Sequence, residues 1–245
     1  MARFYLPRPR LEGNRLVLQG NEVRHLRNSL RLRQGDDLIV FDGEGREYEG
    51  RILRVEPTSA LIEIRQINLS LKESPLEVTL AQSLLKGEKM DYLVQKATEL
   101  GVKRIIPFLS SRSIPLLERS KETERVRRWE RIAIEASKQS GRGFIPKIEP
   151  PWPFSEMLRS TPREGLRMVL NEKGGRRLKE VLRESPEKRS VFFIVGPEGG
   201  LSEKETEAAL DCGFLPVVLG GRILRAETAS LCLLSILQYE WGDIG

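Results

Sequence analysis

Two glycine-punctuated segments near the C-terminus carry the residues best suited to chemistry. The first reads Val195-Gly196-Pro197-Glu198-Gly199-Gly200-Leu201-Ser202. The second reads Leu219-Gly220-Gly221-Arg222-Ile223-Leu224-Arg225-Ala226-Glu227-Thr228-Ala229. Glycine permits positive φ and lets another group approach the backbone closely, and Pro197 stiffens the first turn. Loops of this kind expose peptide N–H and C=O groups in a fixed layout, which suits the donor–acceptor edge of an adenine better than a bare phosphate. Arg222 and Arg225 flank Ile223-Leu224. An arginine beside a nucleotide-sized pocket can hold a phosphate or stabilise a developing anion. Glu198 and Glu227 are the nearest carboxylates in sequence. Either could accept a proton, and Glu227 could equally support the start of a helix.

Each segment follows an apolar run that reads as a buried strand, and each leads into a helix. Two such loops place one site at the C-terminal edge of a parallel sheet. Between them, Ser202 and Glu205 form the Ser-x-x-Glu pattern of a capping box, and Gly213 ends the intervening helix. The last helix is expected from about Glu227 to Tyr239. Upstream, strands at Leu76–Leu80, Arg104–Phe108, Met168–Leu170, Val191–Val195 and Phe214–Leu219 alternate with helices from about Glu88 and over Thr123–Ser140. Alternation of this kind argues for a mainly parallel sheet covered by helices. Residues 141–165, rich in proline and glycine, read as loop.

The N-terminal region differs. Up to about Ile67 it reads as short strands with tight turns, notably Leu38–Phe41 followed by Asp42-Gly43-Glu44-Gly45, which suggests a small barrel. A single helix is expected from Glu22 to Leu32, with Arg24, Arg27 and Arg31 on one face. Two readings fit that face: a solvated basic surface, or one that contacts phosphates. Residues 68–75 read as a linker. The chain therefore divides into a β-rich domain over residues 1–70 and an α/β domain over residues 71–245.

Composition excludes several classes. An apolar fraction of 39% over 245 residues supports packed cores and argues against general disorder. A net charge of +6 points toward a polyanionic partner such as nucleic acid, or simply toward basic solubility. Cys212 and Cys232 match no metal or redox spacing, which fits a reducing cytoplasm. His25 is the only histidine, so neither a histidine-rich metal site nor a histidine-dependent triad is expected. No apolar run is long enough to span a bilayer. The Walker spacing is absent, and Gly196, Gly199 and Gly200 lack the dinucleotide fingerprint, which disfavours triphosphate and nicotinamide cofactors.

The paired glycine segments resemble those of the bacterial 16S ribosomal RNA (uracil-N3)-methyltransferases, the RsmE family of the SPOUT superfamily. Leu85–Asp91, Gln95–Val102 and Glu135–Arg142 resemble further helical motifs of that family. His25-Leu26, Leu30-Arg31, Gly35-Asp36 and Phe41-Asp42-Gly43 resemble its N-terminal PUA-like domain. Family members often carry proline where this chain has Gly221. The resemblance covers nearly the whole chain. It implies a SPOUT-type α/β domain with a trefoil knot, a PUA-like small β-barrel, bound S-adenosylmethionine, a homodimer, and 16S rRNA, within the 30S subunit, as substrate. By motif, it places Leu170 and Glu172 in a first cofactor loop. Gly196, Glu198, Gly199 and Gly200 fall in a second, and Leu219, Gly220, Ile223, Leu224, Arg225 and Ala229 in a third.

The reaction so implied is methylation of uracil N3, with Arg225 and Glu198 as the catalytic candidates. Arg225 either stabilises charge developing on the base or holds RNA. RNA contacts are expected from Arg24, Arg27, Arg31, Arg112 and Arg142. The alternatives are 2′-O-ribose or guanine-N1 methylation on the same scaffold, an RNA-binding assembly factor with a vestigial pocket, and a small-molecule enzyme.

Overall fold

The computed structural model describes residues 1–70, 73–113, 119–172, 174–185 and 188–245. The chain forms two compact units, Met1–Glu73 with Ile134–Ile145, and Ser74–Ala133 with Pro146–Gly245.

The first unit contains β1 (Ala2–Tyr5), β2 (Leu11–Glu12), β3 (Arg15–Gln19), α1 (Asn21–Arg24), β4 (Asp37–Phe41), β5 (Arg46–Val55) and β6 (Ser59–Leu69). They make one mixed sheet in the order β1-β4-β5-β6-β3-β2, with β1 parallel to β4 and the other pairs antiparallel. Alternation sets the register. In β3, Leu16 and Leu18 point inward while Arg15, Val17 and Gln19 face out. The core gathers Phe4, Leu16, Leu18, Leu38, Val40, Ile52 and Ile62 from the sheet with Val23 and Leu26 from the helical segment. The turn between β4 and β5 forms as its Asp-Gly signal predicts. Asp42 Oδ1 accepts from the backbone N–H groups of Glu44 (2.7 Å) and Arg46 (3.0 Å), and Gly43 sits at φ 80°.

Two expectations change here. The single helix from Glu22 to Leu32 is instead α1 followed by a π-helical turn over His25–Ser29, and the chain turns sharply at Arg31, φ 54°. Of the linker expected over residues 68–75, residues 71 and 72 lie outside the described residues, and its first two residues belong to a strand. Strand β6 continues to Leu69 because pairing of Asn68 with Glu47 and of Leu69 with Arg46 satisfies the backbone there.

The second unit contains β7 (Glu77–Ser83), α2 (Lys89–Glu99), β8 (Arg104–Leu109), α3 (Arg119–Ser140, whose residues from Ile134 belong to the first unit), β9 (Lys147–Ile148), β10 (Trp152–Pro153), α4 (Phe154–Arg159), β11 (Leu166–Leu170), β12 (Arg176–Arg177), α5 (Leu178–Glu184), β13 (Ser190–Val195), α6 (Glu203–Asp211), β14 (Leu215–Val218) and α7 (Ala226–Trp241). The sheet order is β10-β8-β7-β13-β11-β14-β12 with β9 beside β8, and every pair is parallel. Its strands are near-continuous apolar runs, as burial on both faces requires; Val191 through Val195 of β13 are all buried. Residues 141–165 are more ordered than expected. Phe154, Met157 and Leu158 of α4 supply a helical apolar stripe that packs with Phe108, Ile194 and Ala209. Each such side chain, fully buried, contributes roughly 1.5–3 kcal/mol.

Candidate active site

Strands β13, β11 and β14 are neighbours in the sheet, and all three release their chains at the same edge. The loops that follow enclose a cavity of about 230 Å³ in the second unit. The first loop contributes Leu170, Asn171 and Glu172. The second contributes Gly196, Pro197, Glu198 and Gly200, and the third Leu219, Gly220, Arg222, Ile223, Leu224 and Arg225. Ala226 and Ala229 of α7 close the wall. Every residue expected to bind the cofactor lines this cavity except Gly199, which lies behind it. The Gly199 carbonyl accepts from Arg112 Nη1 at 2.8 Å.

The second loop owes its path to missing side chains. A Cβ on Gly196 would sit 2.9 Å from the Leu201 nitrogen, and Gly200 occupies φ 69° while its N–H bonds to the Pro197 carbonyl at 2.9 Å. Beneath it lies Gln82, fully buried at the end of β7. Its Nε2 donates to the Ser83 carbonyl at 3.1 Å, with the Val195 and Gly196 carbonyls at 3.4 Å, and its Oε1 accepts from Ser230 Oγ of α7 at 2.5 Å. One amide thus links the sheet, the second loop and the last helix.

Charge is concentrated at one side. Lys89, at the start of α2, donates to Glu198 Oε1 at 2.8 Å and lies 3.9 Å from Glu227 Oε1. Burial pushes the Glu198 carboxyl up. The Lys89 hydrogen bond, the N–H groups of Glu198 and Lys86, and the Lys89 charge outweigh it and hold the carboxyl below its usual range. Glu227 is buried, and its Oε2 has no hydrogen-bond partner. Arg225 is the N-cap residue of α7, with an exposed side chain and no side-chain hydrogen bond or ion pair among the described residues. Arg222, also exposed on the wall of this cavity, likewise has no side-chain hydrogen bond or ion pair among the described residues, so both guanidiniums are available to a ligand while Lys89 is already engaged.

The five arginines expected at an RNA surface fall in different places. Arg27 and Arg31 line a groove on the first unit together, whereas Arg24 hydrogen-bonds to Asn21 beside it. The π-helical turn breaks the 3.6-residue period that would have kept the three on one face. Arg112 spends Nη1 on the Gly199 and Leu201 carbonyls, at 2.8 and 3.3 Å, so it braces the second loop. Arg142 is corrected outright. It is 4% exposed and grips Glu73 through two bonds, Nε–Oε1 at 3.1 Å and Nη2–Oε2 at 2.9 Å, which leaves no surface for a partner. The site residues that sequence reasoning passed over are Lys89, Gln82 and Asn171. Lys89 lies in a segment read only as a helix start, and Gln82 in a strand end, where nothing marks a polar residue as buried.

The comparisons agree with this geometry. A family model described as an RNA methyltransferase domain matches residues 72–238, and one described as an RNA methyltransferase PUA domain matches residues 18–65. The ribosomal RNA small subunit methyltransferase E of Aquifex aeolicus is 36% identical over 92% of this chain and 95% of its own. That of Bacillus subtilis is 31% identical over 91% and 89%. Among solved structures, a ribosomal RNA small subunit methyltransferase E from Neisseria gonorrhoeae bound to S-adenosylmethionine superposes with a TM-score of 0.91, 38% identity and full coverage of both chains. A methyltransferase from Legionella pneumophila, also holding S-adenosylmethionine, gives 0.90 and 34% over 99% and 98% of the two chains. No helix among the described residues is long and apolar enough to cross a membrane. The chain belongs to the ribosomal RNA small subunit methyltransferase E family.

Proposed function

We propose that the protein methylates N3 of a uridine in 16S ribosomal RNA of the small subunit, using S-adenosylmethionine, in the bacterial cytoplasm. The observation that carries this reading is the convergence of three sheet-edge loops on one cavity with an unpaired guanidinium, Arg225, on its wall. The cavity fits the cofactor. Leu170, Val195, Leu219, Ile223 and Ala229 offer apolar faces for a purine, and the glycine segments offer close-approach backbone for its edge. Leu170, Glu172, Gly196, Glu198, Gly200, Leu219, Gly220, Ile223, Leu224 and Ala229 would hold it, with Gly199 supporting from behind. When bound, S-adenosylmethionine supplies an electrophilic methyl group.

The chain's own part is orientation and electrostatics. Loss of the N3 proton leaves negative charge on the uracil ring, and Arg225 stands ready to stabilise it. Glu198, committed to Lys89 and held ionised, anchors the second loop and is a weak proton acceptor. N3 lies on the pairing edge, so the target base is unpaired or extruded when it reacts. The first unit docks RNA and the second performs transfer. The knot implied by the resemblance belongs to this reading. It is supported by α7 packing on β13 and β7 although it follows β14, which lies beyond β11. We also propose a homodimer, supported by a stripe of α7 on which Cys232 and Ile236 stay half-buried and Tyr239 exposed.

The test is methylation of 30S subunits that lack the modification, with mass spectrometry of the nucleosides. The expected product is 3-methyluridine; a 2′-O-methyl nucleoside or 1-methylguanosine would replace this reading. Arg225→Ala should still bind the cofactor in calorimetry while single-turnover transfer falls roughly 10²–10³-fold. An unchanged rate would remove Arg225 from the mechanism.

A further inference from the structure

We propose that Gln82, the buried amide at the end of β7, is a positioning residue for methyl transfer: it fixes the backbone of the second loop against α7 and so sets the shape of the cofactor cavity. This rests on the reading of that cavity as the seat of S-adenosylmethionine, and it names the side chain that holds the seat in register. Gln82 is not among the residues that line the cavity. It acts through Val195 and Gly196, which are, and through Ser230, the neighbour of the lining residue Ala229.

Three observations carry it. The first is where the strand ladder ends. Val195 is the last residue of β13 and pairs with Gln82 in β7. Gly196 comes next, and then Pro197, which has no N–H to donate. A side chain takes over at that point. Gln82 Nε2 lies 3.4 Å from the carbonyls of both Val195 and Gly196 and 3.1 Å from that of Ser83. The second is that the amide can stand only one way round. Its donor faces three carbonyls, which only accept, so its oxygen turns to Ser230 Oγ, 2.5 Å away on α7. One rigid group thereby spans two walls of the cavity. The third is burial. Gln82 is fully buried in a strand whose Val78, Leu80 and Ala81 are buried and apolar. A buried amide is costly unless its polar atoms are bonded, and a satisfied one rigidifies what it touches. The other grips on the second loop, Lys89 on Glu198 and Arg112 on Gly199, come from partly or fully exposed side chains, where water competes.

The chemistry explains why geometry matters here. Transfer needs the sulfonium methyl in line with the attacking nitrogen, and a misplacement of about 1 Å costs roughly 10²-fold in rate. The peptide unit is planar, so holding the Val195 carbonyl also fixes the direction of the Gly196 N–H on the cavity wall. Gln238 supplies the contrast. It is likewise fully buried, its Nε2 donates to the Leu100 carbonyl at 3.0 Å, and its Oε1 accepts from Ser74 Oγ at 2.6 Å. It lies about 12 Å beyond Ser230 along α7, and neither of those partners lines the cavity. The two glutamines share a stabilising role, and only Gln82 also holds the site.

The experiment compares the full-length wild type with Gln82→Met, Ser230→Ala, the double variant and Gln238→Met. It reads stability in denaturant, S-adenosylmethionine affinity by calorimetry, single-turnover methylation of unmodified 30S subunits at saturating cofactor, and amide hydrogen exchange. Both glutamine variants should lose stability. Gln82→Met should also bind the cofactor more weakly, transfer roughly 10²-fold more slowly and exchange faster over residues 198–201. Gln238→Met should match wild type in those three readouts. Ser230→Ala should fall between wild type and Gln82→Met, and the double variant should equal Gln82→Met, because Ser230 acts through the amide. Equal transfer rates in Gln82→Met and Gln238→Met, or wild-type exchange of the second loop in Gln82→Met, would overturn the positioning role. Should Gln82→Met not fold, Ser230→Ala decides: slower transfer with faster exchange of the second loop supports the role, and wild-type values overturn it. A wild type that produces no methylated nucleoside, with the exchange pattern as expected, would count against the proposed function and leave Gln82 as the residue that holds the second loop.

Discussion

Lys89 sets the ionic state of the cavity. Its ammonium is raised above 10.5 first by the hydrogen bond to Glu198, then by the charges of Glu198 and Glu227, against burial and the opposing charge of Arg225. The Glu198 carboxyl lies below its ordinary 4.5. A carboxylate with a depressed folded pKa lends stability that is complete above its unfolded value and is lost as pH falls through the folded one. A lysine with a raised pKa lends stability that is complete below its unfolded value and is lost as pH rises through the folded one. The pair is therefore intact between pH 4.5 and 10.5 and fails first on the acid side of neutrality. Cofactor affinity measured by calorimetry should be flat through neutral pH and drop below pH 4.5 in wild type. Glu198→Gln should bind more weakly at neutral pH and lose that acid limb. An unaltered profile in Glu198→Gln would mean that the ion pair does not hold the loop. The sequence displayed both residues but not their pairing, because nothing local joins positions 89 and 198.

Elements position these residues through their ends. The Ser-x-x-Glu pattern announced the start of α6. The structure contains the full capping box: Glu205 N–H to Ser202 Oγ at 3.3 Å and Ser202 N–H to Glu205 Oε2 at 2.9 Å. Glu205 does more than the pattern says. Its carboxylate also accepts Ser111 N–H at 2.7 Å and Ser111 Oγ at 2.9 Å, which ties the turn after β8 to the loop that shapes the cavity. Ser202→Ala should therefore cost about 1 kcal/mol, the usual value of a lost cap. Glu205→Ala should cost about 2 kcal/mol or more, since charged hydrogen bonds from a second segment go with it. Denaturant titration would measure the difference; equal losses would assign no energy to the Ser111 contacts. The same comparison explains why residues 22–32 read as one continuous helix in the sequence and not in the structure. A capping box is a local pattern between residues three apart. A π-helical turn differs from an α-helical one by a single inserted residue, and apolar spacing alone does not reveal that. Helix α4 was hidden for another reason: Pro151 and Pro153 and the glycines upstream punctuate the region so densely that the Phe154, Met157, Leu158 stripe is too short to stand out.

At the scale of the molecule, the division into a β-rich unit and an all-parallel α/β unit was legible, because strand alternation in one and continuous apolar strands in the other leave different patterns. The strand order was not, since β13 lies between β7 and β11 and no local signal orders buried strands. Helix α7 leaves part of its surface uncovered within one chain. It is apolar on nearly every side, and such helices are normally enclosed. Leu233, Leu234 and Leu237 are buried within the unit, but Cys232 and Ile236 remain half-buried and Tyr239 is 69% exposed, with Thr228 and Ser235 on the same side. These five positions recur at spacings of three and four, so they form one stripe. In the homodimer proposed above, a second copy of the same stripe would satisfy it by two-fold pairing, the commonest arrangement of soluble oligomers. Because Ala226 and Ala229 of α7 also line the cavity, pairing would steady the wall of the site. Wild type should sediment at twice the mass of the chain at micromolar concentration. Ile236→Glu should sediment as a single chain with unchanged helix content and weaker cofactor binding. A wild-type monomer, or an Ile236→Glu dimer, would move the interface elsewhere or remove it.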